Sequence, residues 1–535
     1  MKQFGPNERT IVHVIKEAAK LPDRLFLRGD FGDVSYADMD TLSNRIANGL
    51  HKAGLSAGDT LLVMMRDGVE MIALWLACAK TGIIDVPVNV AYRGGPLTHV
   101  ANDCSARVAV IDSCFADRFA AVSEELGRIS TYYVIDTEPN GKPLPTVAGH
   151  QAHPFEDLLL DARFDAEPPA ESDVMSIMYT SGTTGGSKGV MVTQVHAFEY
   201  GSACASVLEV GEDDVFYTGG LPLFHVAGRW GVIFGTAIFG ATAVVPRQFS
   251  VRGFWSDVAT YGVTSTYLLG AMANFLQRQP AGAGDAGTSL EKVLMCPLLS
   301  DTEDFARRFG VRVATAYGST ESGGPILMAL GSPVPDKQIV GRLREDKYEV
   351  MIADENDRPV PPGTIGEILL RPREPWITMR GYWNQPEKTA QMWRNLWLHT
   401  GDAGRRDGQG NLYFVDRIQD TIRRRGENIS SMEVEGIINR HPAIAECAVF
   451  PVLSEHTESE VMLTVVLKPG EAADPVDIIR FAEKRMAYFM VPRFIDFAEA
   501  LPKTQTGKVQ KKVLREAGRS ASTWDREAAG IKVAR

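Results

Sequence analysis

The sequence predicts an α/β protein of more than one domain. It should have a large N-terminal domain of helix-covered sheets with a small β-rich subdomain, followed by a small α+β domain. Three observations predict this. Helical and strand patterns alternate through the first four hundred residues, which implies parallel sheet covered by helices. From Glu349 to Arg371 that rhythm gives way to short strands broken by turn residues. The length of 535 residues exceeds what one hydrophobic core usually serves.

Taken in order, Leu42, Ile46 and Leu50 fall at helical spacing, and Gly54 offers the stop. Thr60 to Met65 reads as a strand, Val69 to Ala79 as an apolar-faced helix, and Ile83 to Val88 as a second strand. The same rhythm recurs from Val215 to Val245 and from Phe254 to Val313, without a fixed-period repeat. The apolar stretch Gly231 to Pro246 is broken by glycines and too short for a bilayer span, so it reads as buried core. Asp354 to Asp357 and Pro361-Pro362-Gly363 separate short strands, as antiparallel hairpins require. A boundary is expected near Asp416 to Asp420, dividing residues 1–418 from a domain over 419–520. There Ser430-Ser431-Met432-Glu433 reads as a capping box opening a helix to about Arg440. Strands follow at 443–452 and 460–468, and Asp474-Pro475 starts another helix. The polar tail, 521–535, is expected to fray, beginning near Arg519.

The composition, 44% apolar and 23% charged, is that of an ordinary soluble protein. A net charge of -11 argues against a nucleic-acid partner. The six cysteines are scattered without metal-ligand spacing, and the N-terminus lacks a signal-peptide pattern. A reducing, cytoplasmic setting is the expectation.

Chemistry concentrates first in Tyr179-Thr180-Ser181-Gly182-Thr183-Thr184-Gly185-Gly186-Ser187-Lys188-Gly189. Glycines let backbone amides approach an anion, hydroxyls add donors, and Lys188 supplies a point charge suited to a polyphosphate. A solvated turn is the competing reading, but a short apolar strand stands on either side. The spacing departs from the P-loop ATPase pattern, because Ser187 precedes the lysine and Gly189 follows it. Downstream come Tyr317-Gly318-Ser319-Thr320-Glu321, which joins a stacking ring to a carboxylate able to face Mg²⁺, and Asp402 in Trp397 to Asp402. Arg417, the basic turn Arg423-Arg424-Arg425-Gly426-Glu427-Asn428, and Lys508 in a polar loop before the last helix complete the set. His225 sits in an apolar setting, where a core histidine is the default. Each feature is weak by itself.

Their order, from about Ser35 to Arg515, resembles the adenylate-forming superfamily of acyl-CoA synthetases, luciferases and peptide-synthetase adenylation domains. The resemblance implies a mobile C-terminal lid and an ATP-dependent ligase. It would form an acyl-adenylate and pyrophosphate, then pass the acyl group to a thiol, using ATP, Mg²⁺ and coenzyme A. It implies that Thr180, Ser181, Gly182, Thr183, Thr184, Gly185 and Lys188 hold the phosphates. Ala316, Tyr317, Gly318, Ser319 and Thr320 would flank the nucleotide, Glu321 would ligate the metal, and Asp402 with Arg417 would bind ribose. Lys508 would be the adenylation lysine, acting with Glu321, Thr184 and Lys188 on the reacting groups. The acid would meet His225, Val226, Trp230, Leu269, Gly270, Met295, Cys296 and Pro297, and CoA would meet Arg425 and Gly426. The hinge falls on Gln419, where relatives usually carry Asp or Lys, and Ser187 stands where they commonly have proline. Met295 to Ser300 stands where many relatives have a glycine pair, and together with Ser300-Asp301, Arg308 to Arg312 and Gly426 to Ser430 it looks most like the carnitine/crotonobetaine–CoA ligase branch. A carrier-protein phosphopantetheine is the alternative acceptor, and a non-catalytic nucleotide-binding protein the alternative class. A short, medium-chain, branched or cyclic acid fits as well as carnitine, and homodimers are common in the family.

Overall fold

A computed structural model describes residues 4–136, 146–161, 164, 167–180, 187–282, 285–420, 422–424, 427–453, 459–504 and 507–533. By contacts the chain divides into two compact units, Met1–Glu349 with Leu370–Leu398, and Val350–Leu369 with His399–Arg535. Residues 399–418 therefore group with the later chain, whereas the boundary expected from chain order lay after residue 418.

The first unit carries two helix-covered sheets. One runs in the order Gly381–Tyr382, Lys188–Thr193, Val174–Thr180, Ile84–Pro87, Thr60–Met64, Val108–Asp112, Thr131–Ile135, His153–Pro154. From Val174–Thr180 onward the pairings are parallel, as the alternating pattern predicts. The first two strands are antiparallel additions at the edge. Strand Thr60–Met64 is buried at every residue, the signature of a sheet covered on both faces. The helix Val69–Thr81 is buried all round, not only along the expected apolar face. The other sheet contains the parallel strands Ser265–Leu269, Lys292–Cys296 and Arg312–Ser319, followed by antiparallel Gly323–Met328.

Two features lock this unit locally. Ser35 and Asp38 form a reciprocal capping box at the start of Tyr36–Lys52. Gly201, in helix Gln194–Val207, lies so close to the wide-turned helix Ala227–Phe234 that a Cβ would come within 2.7 Å of the Trp230 carbonyl oxygen. A side chain there would force the helices apart.

The second unit contains the antiparallel ladder of Leu398–Arg406 with Leu412–Arg417. It also contains a sheet of Ile444–Leu453, Ser459–Leu467, Phe494–Phe497 and Trp524–Asp525. Asp474 caps Pro475–Glu483 with proline in its first turn, as predicted, and Ser430 caps helix Ser431–Ile438 by accepting from the Glu433 amide, one half of the expected capping box. The C-terminal segment corrects an expectation. Trp524–Asp525 pairs with Phe494 and Ile495, Arg526 is buried, and Ile531 and Val533 pack on the core, so apolar contacts hold a tail expected to fray.

Candidate active site

The glycine- and hydroxyl-rich segment joins two paired strands at the antiparallel edge, with Thr180 opposite Lys188 and Tyr179 opposite Gly189. Its residues Ser181, Gly182, Thr183, Thr184 and Gly185 lie outside the described residues. Lys188 starts the returning strand, and its ammonium stands 4.9 Å from the Tyr382 ring centroid. Tyr382 reaches this place because Gly381–Tyr382 adds a third strand alongside, with Val190 opposite Tyr382. The Tyr382 hydroxyl donates to Glu321 Oε1 at 3.1 Å. Burial lowers the Lys188 pKa below the ordinary lysine value; Glu321 opposes that shift and Lys388 adds to it. The structure thus brings Lys188 and Glu321 together through Tyr382, a residue the sequence reading missed. The signal was available in the run Arg380-Gly381-Tyr382-Trp383, a glycine beside aromatic residues.

Glu321 owes its position to a tight turn. Ser319 Oγ accepts from the Glu321 and Ser322 amides at 3.2 and 3.1 Å, reversing the chain into Gly323–Met328. Ser319, expected to flank the nucleotide, uses its hydroxyl oxygen in shaping that turn. Gly318 is exposed, and a Cβ there would come within 1.9 Å of the Gly323 carbonyl oxygen, so no larger residue fits. Tyr317 and Thr320 are buried, Ala316 is partly buried, and its amide donates to Cys296 Sγ at 3.4 Å.

The expected acid-pocket residues separate into three environments. Val226, Trp230, Gly270 and Met295 are buried, Leu269 and Cys296 are partly buried, and Pro297 is exposed. His225 is exposed as well, correcting its reading as a core histidine, and its Nδ1 accepts from the Ala227 amide at 3.3 Å. Trp230 has no exposed surface, and its ring packs against His196 and Tyr200 at 6.0 and 6.1 Å between centroids. Its face is therefore not open to a cationic ligand. Beneath this region Arg229 pairs with the buried Asp85 and donates from Nε to the Leu223 carbonyl at 2.6 Å. The Leu223 amide donates to Asp67 at 3.0 Å, so this loop is pinned on both sides.

In the second unit Asp402 and Arg417 face each other across the ladder, with Asp402 Oδ1 3.0 Å from Arg417 Nε. Asp402 lies within its strand and is buried. Lys508 heads toward the short helix Lys511–Ala517. Its pKa is lowered, by desolvation first and then by Arg417 and Lys511, against the opposing pull of Asp402 and Asp416. The residue as a whole keeps solvent contact, which moderates the shift. Arg417, Asp402 and Lys508 therefore share one electrostatic environment.

The basic turn is corrected in part. Arg424 is buried, pairs with Glu460 at 2.7 Å and donates to the Phe489 carbonyl at 2.7 Å, so it is taken up by the core. Arg425 and Gly426, the expected CoA contacts, lie outside the described residues. Gln419 is exposed just beyond strand Leu412–Arg417. Among the described residues no group of three or more His, Cys, Asp or Glu gathers to hold a metal, and no helix is long and apolar enough to cross a membrane.

Residues 14–383 match the family model described as AMP-binding enzyme, and residues 433–508 match AMP-binding enzyme C-terminal domain. The chain is 32% identical to a crotonobetaine/carnitine–CoA ligase of Salmonella arizonae, covering 91% of this chain and 94% of that relative. It is 31% identical to the Proteus mirabilis protein of the same name, with the same coverage. Among solved structures it resembles the anthranilate CoA ligase AuaEII in complex with anthranoyl-AMP. The TM-score is 0.82 at 24% identity, covering 98% of both chains. It also resembles ATP-bound MatB from Rhodopseudomonas palustris, with a TM-score of 0.80 at 25% identity, covering 95% of this chain and 98% of that one.

Proposed function

Since the chain belongs to the AMP-binding enzyme family, we propose that it is an AMP-forming acid–thiol ligase that makes an acyl-CoA from a carboxylic acid, ATP and coenzyme A. The observation that carries this reading is the trio Lys188, Tyr382 and Glu321 beside the glycine- and hydroxyl-rich connection. A cation suited to leaving phosphates and a hard oxygen ligand stand together there. Mg²⁺ fits this donor set. Glu321 gives one oxygen to Tyr382, its other oxygen has no hydrogen-bond partner among the described residues, and Mg²⁺ is usually held by one or two carboxylates plus substrate phosphates. When bound, the ion neutralises phosphate charge and orients the phosphoryl oxygens.

In this reading Lys188 and the hydroxyls of Thr180 to Thr184 hold the β- and γ-phosphates, and Asp402 accepts from the ribose hydroxyls while Arg417 fixes its orientation. Tyr317 and the open backbone of Gly318 bound the adenine. The acid's carboxylate oxygen attacks the α-phosphorus, and the bond to pyrophosphate breaks with its electron pair leaving on pyrophosphate. Lys508 stabilises the negative charge that builds during this step. The CoA sulfur then attacks the acyl carbon and AMP leaves, while the lid turns about Gln419 between the two steps. The six cysteines are free thiols, which supports a reducing, cytoplasmic setting.

For the acid we read a neutral, mostly apolar pocket. Trp230 is fully buried, and no carboxylate stands among the candidate pocket residues to pair with a trimethylammonium group. A short or medium-chain, branched or cyclic acid is thus favoured equally with a carnitine-like one. Pyrophosphate release should be measured with crotonobetaine, L-carnitine, butyrate, hexanoate, benzoate and cyclohexanecarboxylate, and acyl-CoA identified by mass spectrometry. At least one acid should yield both products. Silence across the panel refutes the ligase reading.

A further inference from the structure

The segment carrying Lys508 is held in an unusual way. Its hairpin closes through the Thr504 amide to the Lys508 carbonyl at 2.8 Å and the Lys508 amide to Thr504 Oγ1 at 3.1 Å. The helix Lys511–Ala517 follows almost at once. This helix has no fully buried residue, and only Leu514 packs partly, against the small cluster of Phe450, Val452, Met462 and Phe494. A helix this short is not stable by itself. Charged side chains therefore set its position. Lys511 and Arg515, one turn apart on the same face, pair with Glu435 (2.8 Å for Lys511) and with Asp420.

Lys511 also donates to Ser431 Oγ. Ser431 in turn gives its hydroxyl and its amide to Asp416 Oδ2, at 2.6 and 2.7 Å. Asp416 immediately precedes Arg417, the partner of Asp402. Ser431 and Asp416 are both buried. A continuous polar path thus links the helix that follows Lys508 to the strand that carries Arg417.

We infer that Lys511 is a positioning residue for Lys508, holding it through Ser431 and Asp416 in the arrangement used for adenylation. This rests on the proposed ligase reading and on a pivot at Gln419. Asp416 precedes that pivot, whereas Ser431 and Lys511 follow it. Turning the lid must break both Asp416–Ser431 bonds, but it leaves Lys511–Glu435 and Arg515–Asp420 intact, because all four of those residues lie beyond the pivot. The path consequently favours one of the two arrangements and makes no contribution to the other.

The test separates the half-reactions, using the acid that releases most pyrophosphate in the panel above and its chemically prepared acyl-adenylate. In Lys511→Met, adenylation read as pyrophosphate release should slow at least about tenfold, the worth of a hydrogen bond to a charged group. Thioester formation from the preformed adenylate and CoA should stay within about twofold of wild type. Ser431→Ala should move in the same direction, and Lys511→Arg should recover most of the adenylation rate. Preserved thioester formation also shows that the variant is folded. Unchanged adenylation in Lys511→Met, equal loss in both half-reactions, or no recovery by arginine overturns the inference. Wild-type silence with every acid would instead refute the ligase reading, and this inference with it.

Discussion

Replacing Tyr382 with phenylalanine removes the hydroxyl, which bonds to Glu321 and, at 3.7 Å, to Met392 Sδ, and keeps the ring. The ring stays, so the Lys188 ammonium keeps its aromatic neighbour at 4.9 Å, and the strand pairing is untouched. The loss that bears on the carboxylate is the hydroxyl's donation to Glu321 Oε1 at 3.1 Å. Hydrogen bonds to charged groups contribute about 1.5–3 kcal/mol. The Tyr382–Glu321 distance is long for an O–H···O bond and Glu321 is only partly buried, so the lower end applies. About 1.5 kcal/mol corresponds to roughly a tenfold slower adenylation. The Mg²⁺ concentration for half-maximal rate should rise with it, because a carboxylate freed from its anchor orients less well. Tyr382→Leu also removes the ring beside Lys188, worth about 0.5–1 kcal/mol, for a further loss of roughly two- to fivefold. The assay is acid-dependent pyrophosphate release across a Mg²⁺ series, set beside thioester formation from preformed adenylate. If Tyr382→Phe matched wild type at limiting Mg²⁺, or slowed both half-reactions alike, Tyr382 would not be positioning Glu321.

Lys508→Ala should slow adenylation by about 10²–10³, the cost of removing one preorganised charge-stabilising donor, while preformed acyl-adenylate is still converted to thioester; equal loss in both assays would contradict its role. His196 is fully buried and its pKa is pushed down to about 3 by desolvation. A depressed histidine contributes stability that is present above its unfolded pKa and is lost as pH falls toward the folded value. Between pH 6.5 and 5 wild type should therefore lose about 1.6 kcal/mol more than His196→Phe in urea melts, and parallel pH profiles would refute this. Glu199, nearly inaccessible, gathers Arg9 at 3.2 Å, Arg344 at 2.7 Å and Lys347 at 3.2 Å. Glu199→Ala should destabilise the first unit by about 1.5 kcal/mol, since the partly buried Arg344 loses its carboxylate while Arg9 and Lys347 keep Glu374, and an unchanged melting temperature would show the network to be redundant.

Much of the fold was legible because it follows from short-range patterns: buried strands read as apolar runs, and the caps at Ser430 and Asp474 read as side chains placed where free amides need acceptors. The chemical residues were legible for another reason. Gly318 admits no side chain against the Gly323 carbonyl, and the hairpin returning through Gly189 brings Lys188 back opposite Thr180, so local geometry constrains the letters. What stayed hidden depends on distant pairing. Tyr382 lies 61 residues beyond Glu321 in the chain, and only the register of an added edge strand makes them neighbours. His225 departs from its expected core setting because it lies exposed just ahead of helix Ala227–Phe234, while that helix turns Trp230 into the packing around Tyr200. Apolar neighbours in sequence could not tell those two positions apart. Arg424 shows the same limit in charge: three consecutive arginines look like a solvated patch until Glu460, on a strand of the C-terminal sheet, draws one of them inside. Motif spacing thus reports the chemistry that local backbone geometry enforces, whereas the supports that aim it, Tyr382 for Glu321 and Lys511 for Lys508, become visible only once the strands and helices are paired.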